Sequence, residues 1–134
     1  MRSPQGGERM KVFHDGGDGI TEISRKHFAR HFKKLSPVEL IVRKHGNFTF
    51  ELYGIEKVGK TSEPQSIILL ESGFNCGYGG EGPRGTMWAL EQLGMGKQET
   101  ERIVPMFSLI IVDFRSGRPK ATSFSIGGPN IANI

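Results

Sequence analysis

Hydrophobic positions along the chain change period several times, and each change marks an element. Between Thr21 and about Lys34, Phe28, Phe32 and Leu35 recur at i, i+4, i+7 with Ala29 beside them, while Lys26, Arg30 and Lys33 fall opposite. That spacing predicts an amphipathic helix capped by Thr21, basic on its outer face and ended by Pro37. Two-residue alternation then takes over. Phe48, Phe50 and Leu52 alternate with Thr49, Glu51 and Tyr53. With 38–44 across the turn His45-Gly46-Asn47 they predict a hairpin with one buried face. Ile67–Leu70 is uniformly apolar, as suits a central strand. A helix is predicted over Arg84–Leu93, a further helical turn over Lys97–Arg102, and a second hairpin joining 107–113 to 120–126 around Ser116-Gly117. Hairpins with two or three helices predict an α+β domain whose mostly antiparallel sheet has about five strands. No internal repeat appears at a solenoid period.

Composition narrows this picture. With 134 residues the chain has the size of one domain, and 36% apolar residues with nineteen glycines describe a loop-rich protein rather than a disordered one. Residues 1–9 are polar and rich in Gly and Pro, so they read as a flexible tail before a single domain over 10–134; the end, 127–134, reads as irregular. No apolar run approaches the roughly 20 residues that span a bilayer, and the polar N-terminus lacks a signal-peptide core. Cys76 is the sole cysteine, which excludes an internal disulfide and makes a reducing cytoplasm the expected compartment. Charge is uneven: residues 1–46 carry ten Lys/Arg against five acids, whereas 47–134 carry eight against nine. An anionic partner is therefore expected at the N-terminal third.

The least ordinary stretch is Phe74-Asn-Cys-Gly-Tyr-Gly-Gly-Glu-Gly-Pro-Arg-Gly85, a glycine-rich loop at 77–85 running into a helix. Gly77, Gly79, Gly80 and Gly82 suggest backbone shapes that a Cβ would resist. Pro83 suits a first helical position, which would leave the N–H groups of Arg84, Gly85 and Thr86 facing outward to hold an anion, with Arg84 adding charge and Tyr78 acting as a lid. Gly77-x-Gly79-x-x-Gly82 matches the dinucleotide fingerprint in form only. It does not follow a strand directly, and the chain has little room for several parallel βαβ units. No cofactor is expected.

Phe74-x-x-Gly77-Tyr-Gly-Gly-x-Gly-Pro83 followed by Ala89-Leu90 resembles a signature of small, functionally uncharacterised bacterial and phage proteins. In those proteins the same pattern leads into a short Ala/Leu-rich helix and a strand. The resemblance covers Phe74–Leu90 and continues weakly to Phe114. It implies a loop-to-helix geometry and brings no activity. This chain departs from it in its longer, basic N-terminal part and in Arg84-Gly-Thr-Met-Trp88.

Other chemistry is thinner. A catalytic Cys76 would need one of His14, His27, His31 or His45 as base, and no spacing selects one. His27 and His31 lie one helical turn apart, but position 28 is Phe and no third ligand is evident, so no metal is expected. Arg25, Lys26, Arg30, Lys33 and Lys34, helped by Arg43 and Lys44, form a basic helix able to lie on phosphates, without any recognised nucleic-acid motif. The expectation is thus a small binding module taking an anionic ligand or acidic protein partner at the glycine loop. The alternatives are nucleic-acid association through the basic helix, or a small enzyme using Cys76.

Overall fold

The computed structural model describes residues 10–57 and 63–125; the expected tails at 1–9 and 127–134 lie outside them. Alternation of apolar residues builds one six-stranded sheet: β1 (Met10–His14), β2 (Leu35–Arg43), β3 (Phe50–Glu56), β4 (Ser66–Glu71), β5 (Leu109–Asp113) and β6 (Lys120–Phe124). Their spatial order is β1-β4-β3-β2-β5-β6, antiparallel throughout except that β1 runs parallel to β4. Among the described residues three helices accompany them, α1 (Thr21–His31), α2 (Glu81–Gln92) and α3 (Lys97–Ile103), and a 3-10 turn at Phe32–Lys34 continues α1. The α+β class holds, with one strand more than expected.

The period-2 pattern shows which side of the sheet is covered. Leu40 and Val42, Phe50 and Leu52, Ile67 and Leu69, and Ile110 and Val112 are all buried, each alternating with partly exposed neighbours. Phe28 of α1 is the hub of the helix–sheet contact. Its ring lies 4.8 Å from Phe32, 5.6 Å from Phe50, 5.7 Å from Trp88 and 6.0 Å from Phe74, mostly edge to face. Such pairs each contribute about 0.5–1.5 kcal/mol beyond burial. Trp88 thereby packs α2 against α1 and the sheet.

Several boundaries differ from the expected ones. Thr21 does not cap α1; Ile20 occupies the cap position, and the Thr21 hydroxyl donates to the Gly73 carbonyl at 3.0 Å. Ala29 is exposed, and the buried face of α1 runs through Ser24 and Phe28 instead. Pro37 lies within β2, two residues after its start, beside a bulge toward β3. Pairing of β2 with β5 begins only at Glu39, so the missing Pro37 N–H falls outside that ladder.

Candidate functional site

Helix α2 begins at Glu81 after Gly80, so Pro83 is its third residue rather than its first. The Arg84 N–H donates to the Gly80 carbonyl at 3.1 Å, and Gly85 and Thr86 are buried in the helix. The outward-facing amides expected at Arg84, Gly85 and Thr86 are therefore not the arrangement found. Gly77 has φ +91° and donates its N–H to the Val104 carbonyl at 2.8 Å, whereas Gly79 has no left-handed φ and open space around it. Gly80 is extended, and Tyr78 beside it is exposed. Where helix and loop touch, a Cβ on Gly82 would come 2.1 Å from Asn75 Oδ1, and one on Gly85 would come 2.7 Å from the Phe74 ring. Thr86 Oγ1 lies 2.6 Å from the Asn75 carbonyl and 3.2 Å from that of Gly82, closing the same contact. Gly82 and Gly85 thus serve close packing.

Cys76 is wholly buried, and its thiol points to the Val42 carbonyl at 3.7 Å, not to an imidazole. Burial pushes the thiol up to about 12, so little thiolate exists near neutral pH.

The cations of α1 divide. Arg25 lies over Trp88 at 4.9 Å and 3.8 Å from a Glu22 carboxylate oxygen. Lys33 lies 5.8 Å from the Phe32 ring centroid; Lys34 lies 5.3 Å from that of Phe13 and 3.2 Å from His31 Nδ1. Lys26 and Arg30, one turn apart, instead line a cleft of about 350 Å³ together with His14, Asp15, Ile23 and His27. The loop after β1 forms one wall and α1 the other.

Asp15 fixes that loop. Its Oδ2 accepts the Ser72 N–H and hydroxyl, each at 2.9 Å, and the Ser24 hydroxyl; Oδ1 accepts the Gly17 N–H at 3.0 Å. The donors are themselves held: Ser24 Oγ accepts the Gly73 N–H at 2.7 Å, and Ser72 Oγ the Gly19 N–H at 2.8 Å. Gly73 must lack a side chain, because a Cβ there would sit 2.6 Å from the Ile20 carbonyl. Burial raises the Asp15 carboxyl, but hydrogen bonds from Ser24, Ser72 and Gly17 outweigh it and hold the group below its ordinary value. Asp15 is an ionised structural knot facing the cleft.

Behind His27 lies Glu71, the last residue of β4 and wholly buried. Glu71 Oε2 is 2.7 Å from His27 Nδ1, and Oε1 has no partner among the described residues. Burial, reinforced by the Asp15 charge, raises the Glu71 carboxyl to about 10. Burial also lowers His27 to about 4, helped by His31, Arg30 and His14 and opposed by Asp15. Both shifts favour neutral partners at neutral pH. The carboxyl O–H then donates to Nδ1, and the imidazole carries its own hydrogen on Nε2. His31, 4.6 Å from His27 ring to ring, stacks on Phe13 at 4.4 Å and is itself lowered by burial and by Lys34. His14 Nδ1 accepts the Gly16 N–H at 3.2 Å. Among the described residues no group of three or more His, Cys, Asp or Glu is placed to hold a metal ion.

Of the residues singled out in the sequence, the structure brings Lys26, Arg30, His14 and His27 together. It leaves the glycine loop, Cys76 and the remaining α1 cations elsewhere. Sequence reasoning missed Asp15 and Glu71. The signal for Glu71 was parity: Ile67, Leu69 and Glu71 occupy one face of β4. No helix among the described residues is long and apolar enough to cross a membrane. Comparison of the chain with protein families, with curated proteins and with solved structures finds no match.

Proposed function

We propose that the protein binds a small phosphate-bearing ligand in the cleft between α1 and the loop after β1. One observation carries this reading: Lys26 and Arg30, two side chains of like charge, line the same cleft as two imidazoles. Asp15 sets one negative charge against these two positive ones, and Glu71 is held neutral. The site therefore keeps a surplus positive charge and several N–H donors, which is the chemistry that a phosphate group matches. The remaining lining supplies Ile23, an apolar wall for the non-phosphate part of a ligand.

A small ligand fits better than a polymer. The other helix cations do not extend the cleft into a stripe; Arg25 is placed over Trp88 and Lys34 over Phe13. Titration with inorganic phosphate and with mononucleotides tests the reading. Lys26→Ala or Arg30→Ala should each weaken binding about tenfold, the loss of one charge-assisted hydrogen bond. Unchanged affinity in the double variant would sink the proposal. Binding seen only with DNA or RNA, and fading steeply with salt, would transfer the function to the whole basic helix.

A further inference from the structure

We infer that this cleft is a catalytic centre for cleaving phosphate esters, in which His27 protonates the departing oxygen and Glu71 recharges His27 from behind. The inference rests on the phosphate-binding reading above and adds a reaction to it.

The first ground is the cost of Glu71. A wholly buried carboxyl with one oxygen unpartnered is unfavourable for folding. An apolar residue would continue the buried face of Ile67 and Leu69 without that cost. A costly group of this kind, placed directly behind a cleft-lining imidazole, is the pattern of a functional site.

The second ground is geometry. A carboxyl orienting one nitrogen of an imidazole, with the ring lining a cleft beside two cations, supplies the parts of acid catalysis. Lys26 and Arg30 would take the phosphoryl oxygens. The hydrogen bond to Glu71 occupies Nδ1 and so leaves Nε2–H as the donor. The charged and titratable groups facing His27 are Asp15 and His14 on the β1 side, Arg30 and His31 on its own helix, and Glu71 on β4. Burial above all, helped by His31, Arg30 and His14, keeps the ring from charging on its own, so its proton must be replaced from Glu71.

The step balances without oxidation or reduction. The bond between phosphorus and the leaving oxygen breaks, Nε2–H passes to that oxygen, and the Glu71 proton passes to Nδ1. The alcohol departs, leaving Glu71 as a carboxylate and His27 neutral with its hydrogen on Nδ1. Water adds to phosphorus to give dihydrogen phosphate, which returns one proton to Nε2; the Nδ1 proton moves back to Glu71. The sum is ester and water to alcohol and hydrogen phosphate. His27 is the catalytic residue, and Glu71 a positioning residue that also holds the spare proton.

The test uses the full chain with phenyl phosphate and p-nitrophenyl phosphate. The nitrophenolate leaves with little help from an acid, whereas phenolate needs more. Glu71→Gln keeps a donor to Nδ1 but cannot pass a proton. It should slow phenyl phosphate about 100-fold and p-nitrophenyl phosphate no more than about threefold. His27→Gln should show the same selective loss, which a merely structural role for either residue would not produce. Equal losses on both esters, with the variants still folded, would overturn the relay. No turnover of either ester by a wild-type protein that binds inorganic phosphate would overturn catalysis while the binding reading stands. Absence of phosphate binding would overturn both.

Discussion

Glu71 and His27 meet at 2.7 Å, which joins the buried end of β4 to an imidazole that lines the cleft. The two groups are shifted in opposite directions, and the consequence for stability follows from their signs. His27, lowered to about 4, contributes stability that is full above its ordinary 6.5 and is lost as pH falls toward 4. Glu71, raised to about 10, contributes stability that is full below 4.5 and is lost as pH rises toward 10. Between 4.5 and 6.5 the two trends cancel. Above 6.5 only the Glu71 trend remains, so stability should fall by up to about 1.4 kcal/mol per pH unit. Urea unfolding at intervals from pH 5 to 9 checks this. Glu71→Gln should abolish the alkaline decline.

Asp15 should be the most sensitive residue of the loop. Asp15→Ala removes the acceptor for the hydroxyls of Ser24 and Ser72 and for the amides of Ser72 and Gly17. A loss of about 3 kcal/mol is expected, with the cleft disordered along with it. Denaturant midpoints give the energy, and phosphate titration of the folded variant reads the site. A change within about 0.5 kcal/mol, typical of an unremarkable surface substitution, would contradict this role.

The glycine loop makes a prediction that runs against helix propensity. Gly85→Ala should gain up to about 1 kcal/mol from propensity alone. A Cβ there would meet Phe74 and the methyl of Thr21, each at 2.7 Å, so a net loss of about 1–3 kcal/mol is expected. Gly79→Ala, with open space around it, should be close to neutral. Thermal unfolding of the pair, neither of which has a left-handed φ, shows whether the packing contact at Gly85 outweighs helix propensity.

Phe28 carries the contact of α1 with the sheet and with Trp88. Phe28→Ala should cost about 3–5 kcal/mol, measured by chemical denaturation. Since Ser24 and His27 precede it on the same helix, weakened phosphate binding should accompany the loss.

Elements whose partners are near in sequence were legible. Alternation in 48–53 and the apolar run at 67–70 gave β3 and β4, and the turn at Ser116-Gly117 gave the β5–β6 hairpin. Strand β1 was not, because Met10–His14 is a short, largely exposed edge strand whose parallel partner is residues 66–70. The same distance concealed the cleft. Asp15 stands in sequence beside Gly16 and Gly17, whereas three of its four donors come from Ser24 of α1 and from Ser72 just after β4. Lys26 and Arg30 were visible as charges, but what separates them from Lys33 and Lys34 is the wall opposite, which only the packing of α1 against β1 supplies. The glycines of the loop were visible as unusual; that Gly82 and Gly85 accommodate Asn75 and Phe74 depends on a contact between loop and helix that no local pattern encodes.

The measurement that bears most directly on the account is a phosphate titration of the 15N-labelled protein at neutral pH and moderate salt, followed by amide resonances. Saturable shifts should concentrate at His14, Asp15, Ile23, Lys26, His27 and Arg30, and should vanish in the Lys26→Ala/Arg30→Ala variant while the fold persists. Shifts confined to Tyr78–Gly85 would place anion binding at the glycine loop instead, and no saturable shift anywhere would contradict an anion site in the cleft altogether.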